Sequence, residues 1–123
     1  MTVLLVDDDL DELVLFNEAI QEVDSRITFV TTTDGDLCLE MLKNVTPDII
    51  FLDINMPRMN GKDCLKALRK NEDLKNVPVI MYSTTINPSD EEFFTAFNIP
   101  FKKKPTEFND LVDFVKTTVV GAA

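Results

Sequence analysis

The chain of 123 residues is the length of one domain, and its 45% apolar content suffices for a sizeable core. A net charge of −10 disfavours direct binding to nucleic-acid phosphates or to anionic membrane surfaces. No apolar run approaches the ~20 residues that cross a bilayer and no secretory signal opens the chain, so the expected location is cytoplasmic.

Val3-Leu4-Leu5-Val6 is a short continuous apolar run, the pattern of a strand covered on both faces. Asp8 to Asp11 supply helix-start chemistry, and Leu10, Leu13, Val14, Phe16, Ile20 and Val23 then recur at helical spacing. A second strand is predicted over Ile27 to Val30. A second helix opens near Asp34 and carries Leu37, Leu39, Met41 and Leu42. Pro47 precedes the most apolar strand, Asp48-Ile49-Ile50-Phe51-Leu52. After Asn60-Gly61, Cys64, Leu65 and Leu68 mark a third helix, and Pro78 leads into a fourth strand, Val79 to Tyr82. Residues 89–97 read as a short fourth helix with Phe93, Phe94 and Phe97. Ile99 to Lys103 reads as the fifth strand. Phe108, Leu111, Val112, Val115 and Val119 form the stripe of a fifth helix that ends before Gly121.

Five strands alternating with five helices imply right-handed parallel crossovers and a three-layer α/β sandwich. In such a sheet ligands bind beyond the carboxyl ends of the strands, where the strand order reverses. The residues at those ends are Asp7 and Asp8, Asp53, Ser83 and Thr84, and Lys104. With strand order 2-1-3-4-5 the first and third strands are neighbours, and three carboxylates converge. Carboxylates within ~4–6 Å raise one another's pKa unless a cation intervenes. Mg²⁺ suits such a site, because it takes a few protein oxygens and keeps waters. With the local charge offset, Asp53 can stay ionised and attack phosphorus, Lys104 can balance phosphoryl oxygens, and Ser83 can donate to one of them.

Each piece also has a plainer explanation. The acids after the first strand could cap a helix, Asp53 could be a turn residue, and Ser83 and Thr84 could be caps. Lys102 to Lys104 could protect an edge strand. Their common position on one rim favours the joint chemical reading. The chain has no histidine, which removes Ser-His and Cys-His nucleophiles and the common zinc sites. Cys38 and Cys64 sit in helical patterns without a C-x-x-C pair and read as packing thiols.

Val6-Asp7-Asp8-Asp9, Leu52-Asp53-Ile54-Asn55-Met56-Pro57-Arg58-Met59-Asn60-Gly61, Ser83 and Lys104-Pro105 together resemble the receiver domains of two-component response regulators. The resemblance covers residues 1–123 and implies a flavodoxin-like fold and a single-domain regulator of the chemotaxis or phytochrome-partner type, with no output domain. It implies that Asp53 is the phosphoacceptor, taking its phosphoryl group from a sensor histidine kinase or a histidine phosphotransfer protein. Asp8, Asp53 and the backbone carbonyl of Asn55 would ligate Mg²⁺, with Asp7 acting through water. Ser83 would be the switch hydroxyl, Lys104 the phosphate partner and Phe101 the switch aromatic. Asn55 and Thr85 fall where the family tunes phosphoryl lifetime. Ser83 and Lys104 would gain their phosphoryl contacts only on transfer. Output would run through the face of the fourth helix, fifth strand and fifth helix, and a homodimer is compatible with this.

The chain departs from the family pattern at Asn98-Ile99-Pro100, where a glycine is common, at Lys102 and Lys103, and at Tyr82 before the serine. An Asp-nucleophile phosphatase usually has a second acid where Asn55 stands, and a cap domain for which the chain has no room. A flavin module needs Ser, Thr and Gly donors where Asp7-Asp8-Asp9 stands. The chain is therefore expected to act as a signalling phosphoacceptor, catalysing only its own phosphorylation and dephosphorylation, and not as a metabolic enzyme.

Overall fold

A strand buried on both faces demands apolar sequence throughout, and Val3 to Val6 and Ile49 to Leu52 are buried at every position. The computed structural model describes residues 1–120. Its strands are β1 (Thr2–Val6), β2 (Thr28–Thr32), β3 (Ile49–Leu52), β4 (Val79–Ser83) and β5 (Phe101–Lys103). They alternate with helices α1 (Leu10–Val23), α2 (Gly35–Met41), α3 (Gly61–Lys70), α4 (Pro88–Ala96) and α5 (Phe108–Val115). The sheet is parallel with order β2-β1-β3-β4-β5, the order expected. The fold is flavodoxin-like.

Period-2 alternation divides the core between the two faces of the sheet. Leu4, Val6, Ile50, Leu52 and Met81 face α2, α3 and α4, where Cys38, Cys64, Leu65, Leu68 and Phe94 are buried. Val3, Leu5, Ile49, Phe51 and Tyr82 face α1 and α5, packing with Phe16, Ile20, Leu111, Val115 and Val119. The second face is built on aromatic rings. Phe16 meets Phe51 at 4.9 Å and Tyr82 edge-on at 5.5 Å, and Tyr82 stacks on Phe114 at 5.7 Å. Such pairs add about 0.5–1.5 kcal/mol each beyond area burial.

Several boundaries differ from the expectation. β2 begins at Thr28 and runs to Thr32, because its register with β1 continues to the pair Val6–Thr32. β5 begins at Phe101, since Pro100 has no N–H to pair and contributes only its carbonyl, which accepts from Met81 N at 3.0 Å. The apolar stripe of α1 is narrower than its sequence suggested. Phe16, Ala19 and Ile20 are buried, whereas Leu10 and Val14 are exposed. The fifth helix changes at Lys116 into a π-helical turn, Lys116–Val120. Its expected end before Gly121 lies outside the described residues.

The missing glycine ahead of β5 has a physical replacement. Asn98 adopts φ 55°, one of two non-glycine residues in the left-handed region among the described residues. Its N–H donates to Thr95 O at 3.2 Å, and the N–H of Ile99 donates to Phe94 O at 2.8 Å. These two bonds make a Schellman termination of α4, with Ile99 and Phe94 supplying its apolar contact. Asn98→Val should therefore destabilise the fold by about 1–2 kcal/mol, and Asn98→Gly should be within ~0.5 kcal/mol of the parent. Urea unfolding of both variants measures this, and equal stability of the Val and Gly variants would contradict it.

Candidate active site at the carboxyl edge of the sheet

Sequence order decides how the acidic run after β1 is divided. Asp9 caps α1, its Oδ1 accepting from the N–H groups of Asp11 at 3.0 Å and Glu12 at 3.4 Å. That leaves Asp7 and Asp8 outside the helix. Asp7 is fully buried while Asp8 is exposed. β1 and β3 are adjacent, so Asp53 joins them, and one carboxylate oxygen from each of Asp7, Asp8 and Asp53 lies within 4.8 Å of the others.

The loop after β3 is held close to Asp53 by backbone bonds. Asp53 N donates to Val6 O at 3.0 Å, and Gly61 N donates to Ile54 O at 2.8 Å. Gly61 starts α3 so near the acceptor strand that a Cβ there would stand 2.1 Å from Asp53 O. Only glycine fits this approach. Arg58, midway along the loop, takes φ 63° and pairs its guanidinium with the buried carboxylate of Asp34, the N-cap of α2. The left-handed backbone at Arg58 costs about 1 kcal/mol, which a charge-assisted bond to a buried partner offsets.

The positive side of the site comes from β4 and β5. Lys104 follows β5, its N–H donating to Ser83 O at 2.9 Å. Its ammonium lies 2.6 Å from Asp7 Oδ2 and 3.9 Å from Asp53 Oδ2. The Lys104 ammonium is thus the partner of the buried Asp7 Oδ2. Asp7 Oδ1 accepts from Asp9 N at 2.9 Å. Burial is the largest influence on Asp7 and pushes its pKa up to about 6, against the opposing pull of Lys104 and the Asp9 N–H. Burial disfavours the charged form of Lys104, but Asp7, Asp53 and Glu12 outweigh it and raise its pKa.

Ser83 is buried, and its hydroxyl donates to Asp53 Oδ1 at 2.8 Å. It is thus engaged with the carboxylate before any transfer. Asn55 is exposed and its N–H lies 3.4 Å from Asp53 Oδ1, while Thr85 is exposed in the loop after β4. Phe101 stands outside the polar cluster, half-buried, with its ring 6.1 Å from Phe94. Sequence reasoning gave Tyr82 no role here. Its ring lies 5.9 Å from the Lys104 ammonium, and its hydroxyl donates to Glu12 Oε1 at 2.9 Å. Glu12 had looked like a dipole-favourable acid at the start of a helix. A contact spanning 70 residues leaves no local sequence signal.

The donor set is three hard carboxylate oxygens within 4.8 Å of one another, and it fits a small divalent cation. Against known proteins, the response regulator receiver domain model matches residues 3–116. The chain belongs to this family. Receiver domains act in two-component signalling, where they accept phosphoryl groups from histidine kinases and bind Mg²⁺ at an acidic pocket. The phosphorylated cyanobacterial phytochrome response regulator RcpA is 27% identical, with TM-score 0.85, over 94% of this chain and 88% of its own. The Mn²⁺-bound response regulator Rcp1 is 25% identical, with TM-score 0.79 and the same coverage. The polar-differentiation response regulator DivK of Brucella ovis is 30% identical over 91 residues, 74% of this chain and 72% of DivK. Longer relatives also match. The chain spans 26% of a probable cyclic di-GMP phosphodiesterase of Vibrio cholerae and 41% of stress response regulator protein 1 of Candida albicans. Among the described residues no helix is long and apolar enough to cross a membrane.

Folded Asp7 takes up a proton near pH 6, against an ordinary aspartate value of 3.8. Its raised value means that its ionisation costs the metal-free fold nothing below about pH 3.8 and progressively more as pH rises through 6. Asp7→Asn should therefore stabilise metal-free protein at pH 7.5 by on the order of 1–2 kcal/mol, the lost Lys104 partner offsetting part of the gain. The gain should vanish near pH 4. Urea midpoints in chelator at the two pH values check this, and a less stable variant at pH 7.5 would contradict it.

Proposed function

We propose that this chain is the phosphoacceptor of a two-component phosphorelay, accepting a phosphoryl group on Asp53 from a phosphohistidine of a kinase or histidine phosphotransfer protein. The observation that carries this reading is the juxtaposition of Asp53 with Asp7 and Asp8 on one side and with Lys104 and Ser83 on the other. The acceptor sits at the strand end, 5% exposed, where a donor can approach from the rim. Asp8 and Asp53 would hold Mg²⁺ directly with the Asn55 carbonyl, and Asp7 would act through water. The Mn²⁺-bound form of Rcp1 supports a divalent cation in this family. When bound, the cation offsets the crowded negative charge and screens the incoming phosphoryl oxygens.

An Asp53 carboxylate oxygen attacks phosphorus, the bond from phosphorus to the histidine nitrogen breaks, and an acyl phosphate remains on Asp53. Lys104 balances the oxygens that arrive. Ser83 must release Asp53 Oδ1 to donate to the phosphoryl group, so its hydroxyl exchanges one acceptor for another. That exchange, together with the pull on Lys104, biases the loop after β4 and strand β5. Phe101 on that strand then shifts its packing against Phe94, and the face of α4, β5 and α5 carries the signal to a downstream protein.

Asp53→Asn should abolish the acetyl-phosphate adduct seen by intact mass in Mg²⁺, with the fold retained. Lys104→Ala should slow its formation on the order of 100-fold. Ser83→Ala should still form the adduct but show smaller adduct-induced amide shifts over residues 90–115. A full adduct on the Asp53→Asn variant would rule out the acceptor. Adduct-induced shifts matching the parent in Ser83→Ala would rule out the hydroxyl exchange.

Calorimetric titration with Mg²⁺ separates the two acids of the β1 rim. Asp8→Asn should weaken affinity by at least ~10-fold and more than Asp7→Asn does. Undiminished binding in both would place the metal elsewhere.

A further inference from the structure

Helices α3 and α4 present two parallel rows of side chains that the phosphoacceptor site does not use. Lys62, Lys66 and Lys70 recur every four residues along α3, and Phe93 and Phe97 stand four apart on α4 and its C-cap. The rows meet. The ammonium groups of Lys62 and Lys66 lie 5.5 and 5.9 Å from the centroid of the Phe93 ring. Phe93 and Phe97 are 4.9 Å apart, and Phe97 is 65% exposed. Lys62 is held by the buried carboxylate of Asp90, which also closes the capping box of α4 with Asn87. Lys66 and Lys70 are exposed and have no carboxylate within ion-pair distance among the described residues.

An exposed phenylalanine packed on Phe93, the ring that Lys66 overlies, with Lys70 one turn further along α3, is unusual on a chain with 22 acidic residues against 12 basic ones. An acidic partner is repelled by the molecule as a whole and attracted only where lysines cluster, so repulsion elsewhere sharpens selection of the patch. We propose that this patch docks an acidic amphipathic segment of a partner protein. One apolar side chain of that segment rests on Phe97 and Phe93, and its carboxylates meet Lys66 and Lys70. Nucleic acid is disfavoured, because a continuous phosphate array would run beyond three lysines onto acidic surface. A second copy seating its acidic α1 N-terminus here would make the chain self-associate, an outcome that the test separates. The patch excludes Asp53 and its neighbours but shares α4 with the proposed output face, so a test on unphosphorylated protein keeps its failure distinguishable from failure of the phosphoacceptor reading.

The test uses unphosphorylated, nitrogen-15-labelled protein and three short synthetic helical peptides. One is Glu-rich with a single Phe, the second replaces that Phe by Ala, and the third replaces the Glu residues by Lys. The first should give saturable amide shifts centred on residues 62–70 and 90–98, and the other two should bind at least ~10-fold more weakly. Phe97→Ser and the double variant Lys66→Glu/Lys70→Glu should each reduce affinity for the first peptide at least ~10-fold. Both changes are at exposed positions, and circular dichroism verifies that the variants fold. Absence of saturation by ~1 mM, shifts centred elsewhere, or equal binding of the Lys-rich peptide would overturn the proposal. Self-association of the parent that Phe97→Ser abolishes would overturn it in favour of a second copy.

Discussion

Asp7, Asp8 and Asp53 place carboxylate oxygens within 4.8 Å of one another, with the single ammonium of Lys104 opposite. Burial raises the cost of ionising Asp7, and the neighbouring Asp53 adds to it. A fold selected only for stability would thin out this charge. Here the sheet order forces it together, because β1 and β3 are neighbours and each ends in aspartate. The neighbouring structure is arranged around holding these groups in place. Gly61 lets α3 start against the Asp53 carbonyl, Arg58 ties the intervening loop to Asp34, and Asp9 satisfies α1 so that Asp7 need not. The first two fix the loop after β3 and the third the turn after β1.

Much of this was legible in the sequence because parallel α/β topology converts strand ends into a site. Apolar runs located the strands, and the residue after each one identified Asp7, Asp8, Asp53, Ser83 and Lys104 with no further information. Features that depend on long-range pairing were not legible. Tyr82 looked like an oversized neighbour of the serine, yet its hydroxyl reaches Glu12 and its ring backs Lys104. Neither the positive φ of Arg58 nor its buried partner Asp34 has a local signature in sequence. Leu10 and Val14 fitted the helical period of α1 but lie on its exposed side. Periodicity reports a face, and the width of that face depends on which neighbours cover it.

Ser83 shows that a residue's place in the site does not by itself give its part in a mechanism. Position alone gave a hydroxyl free to greet an incoming phosphoryl group. The structure has it already donating to Asp53 Oδ1 at 2.8 Å. A buried hydroxyl without an acceptor is costly, so some partner before transfer is the physically expected state. In the proposed reaction the hydroxyl therefore contributes only the difference between two hydrogen bonds, one to a carboxylate and one to a phosphoryl oxygen.

The same reasoning applies to Lys104, which is paired with Asp7 before any phosphoryl group arrives. A conformational equilibrium moves only by the difference in interaction free energy between its two states. Each contact at this site is occupied beforehand, so each differential is smaller than the bond itself, and no single residue carries the switch. Moving the equilibrium from mostly inactive to mostly active takes several kcal/mol, about 5.5 for a change from 1:99 to 99:1. Ser83 and Lys104 draw on separate strand ends, β4 and β5, which are joined by the hydrogen bond from Lys104 N to Ser83 O. That backbone link lets two modest differentials act on one body. In the proposed switch Phe101, at the start of β5 three residues before Lys104, would move with it, so that its half-buried packing against Phe94 would carry the sum of both contacts rather than either one.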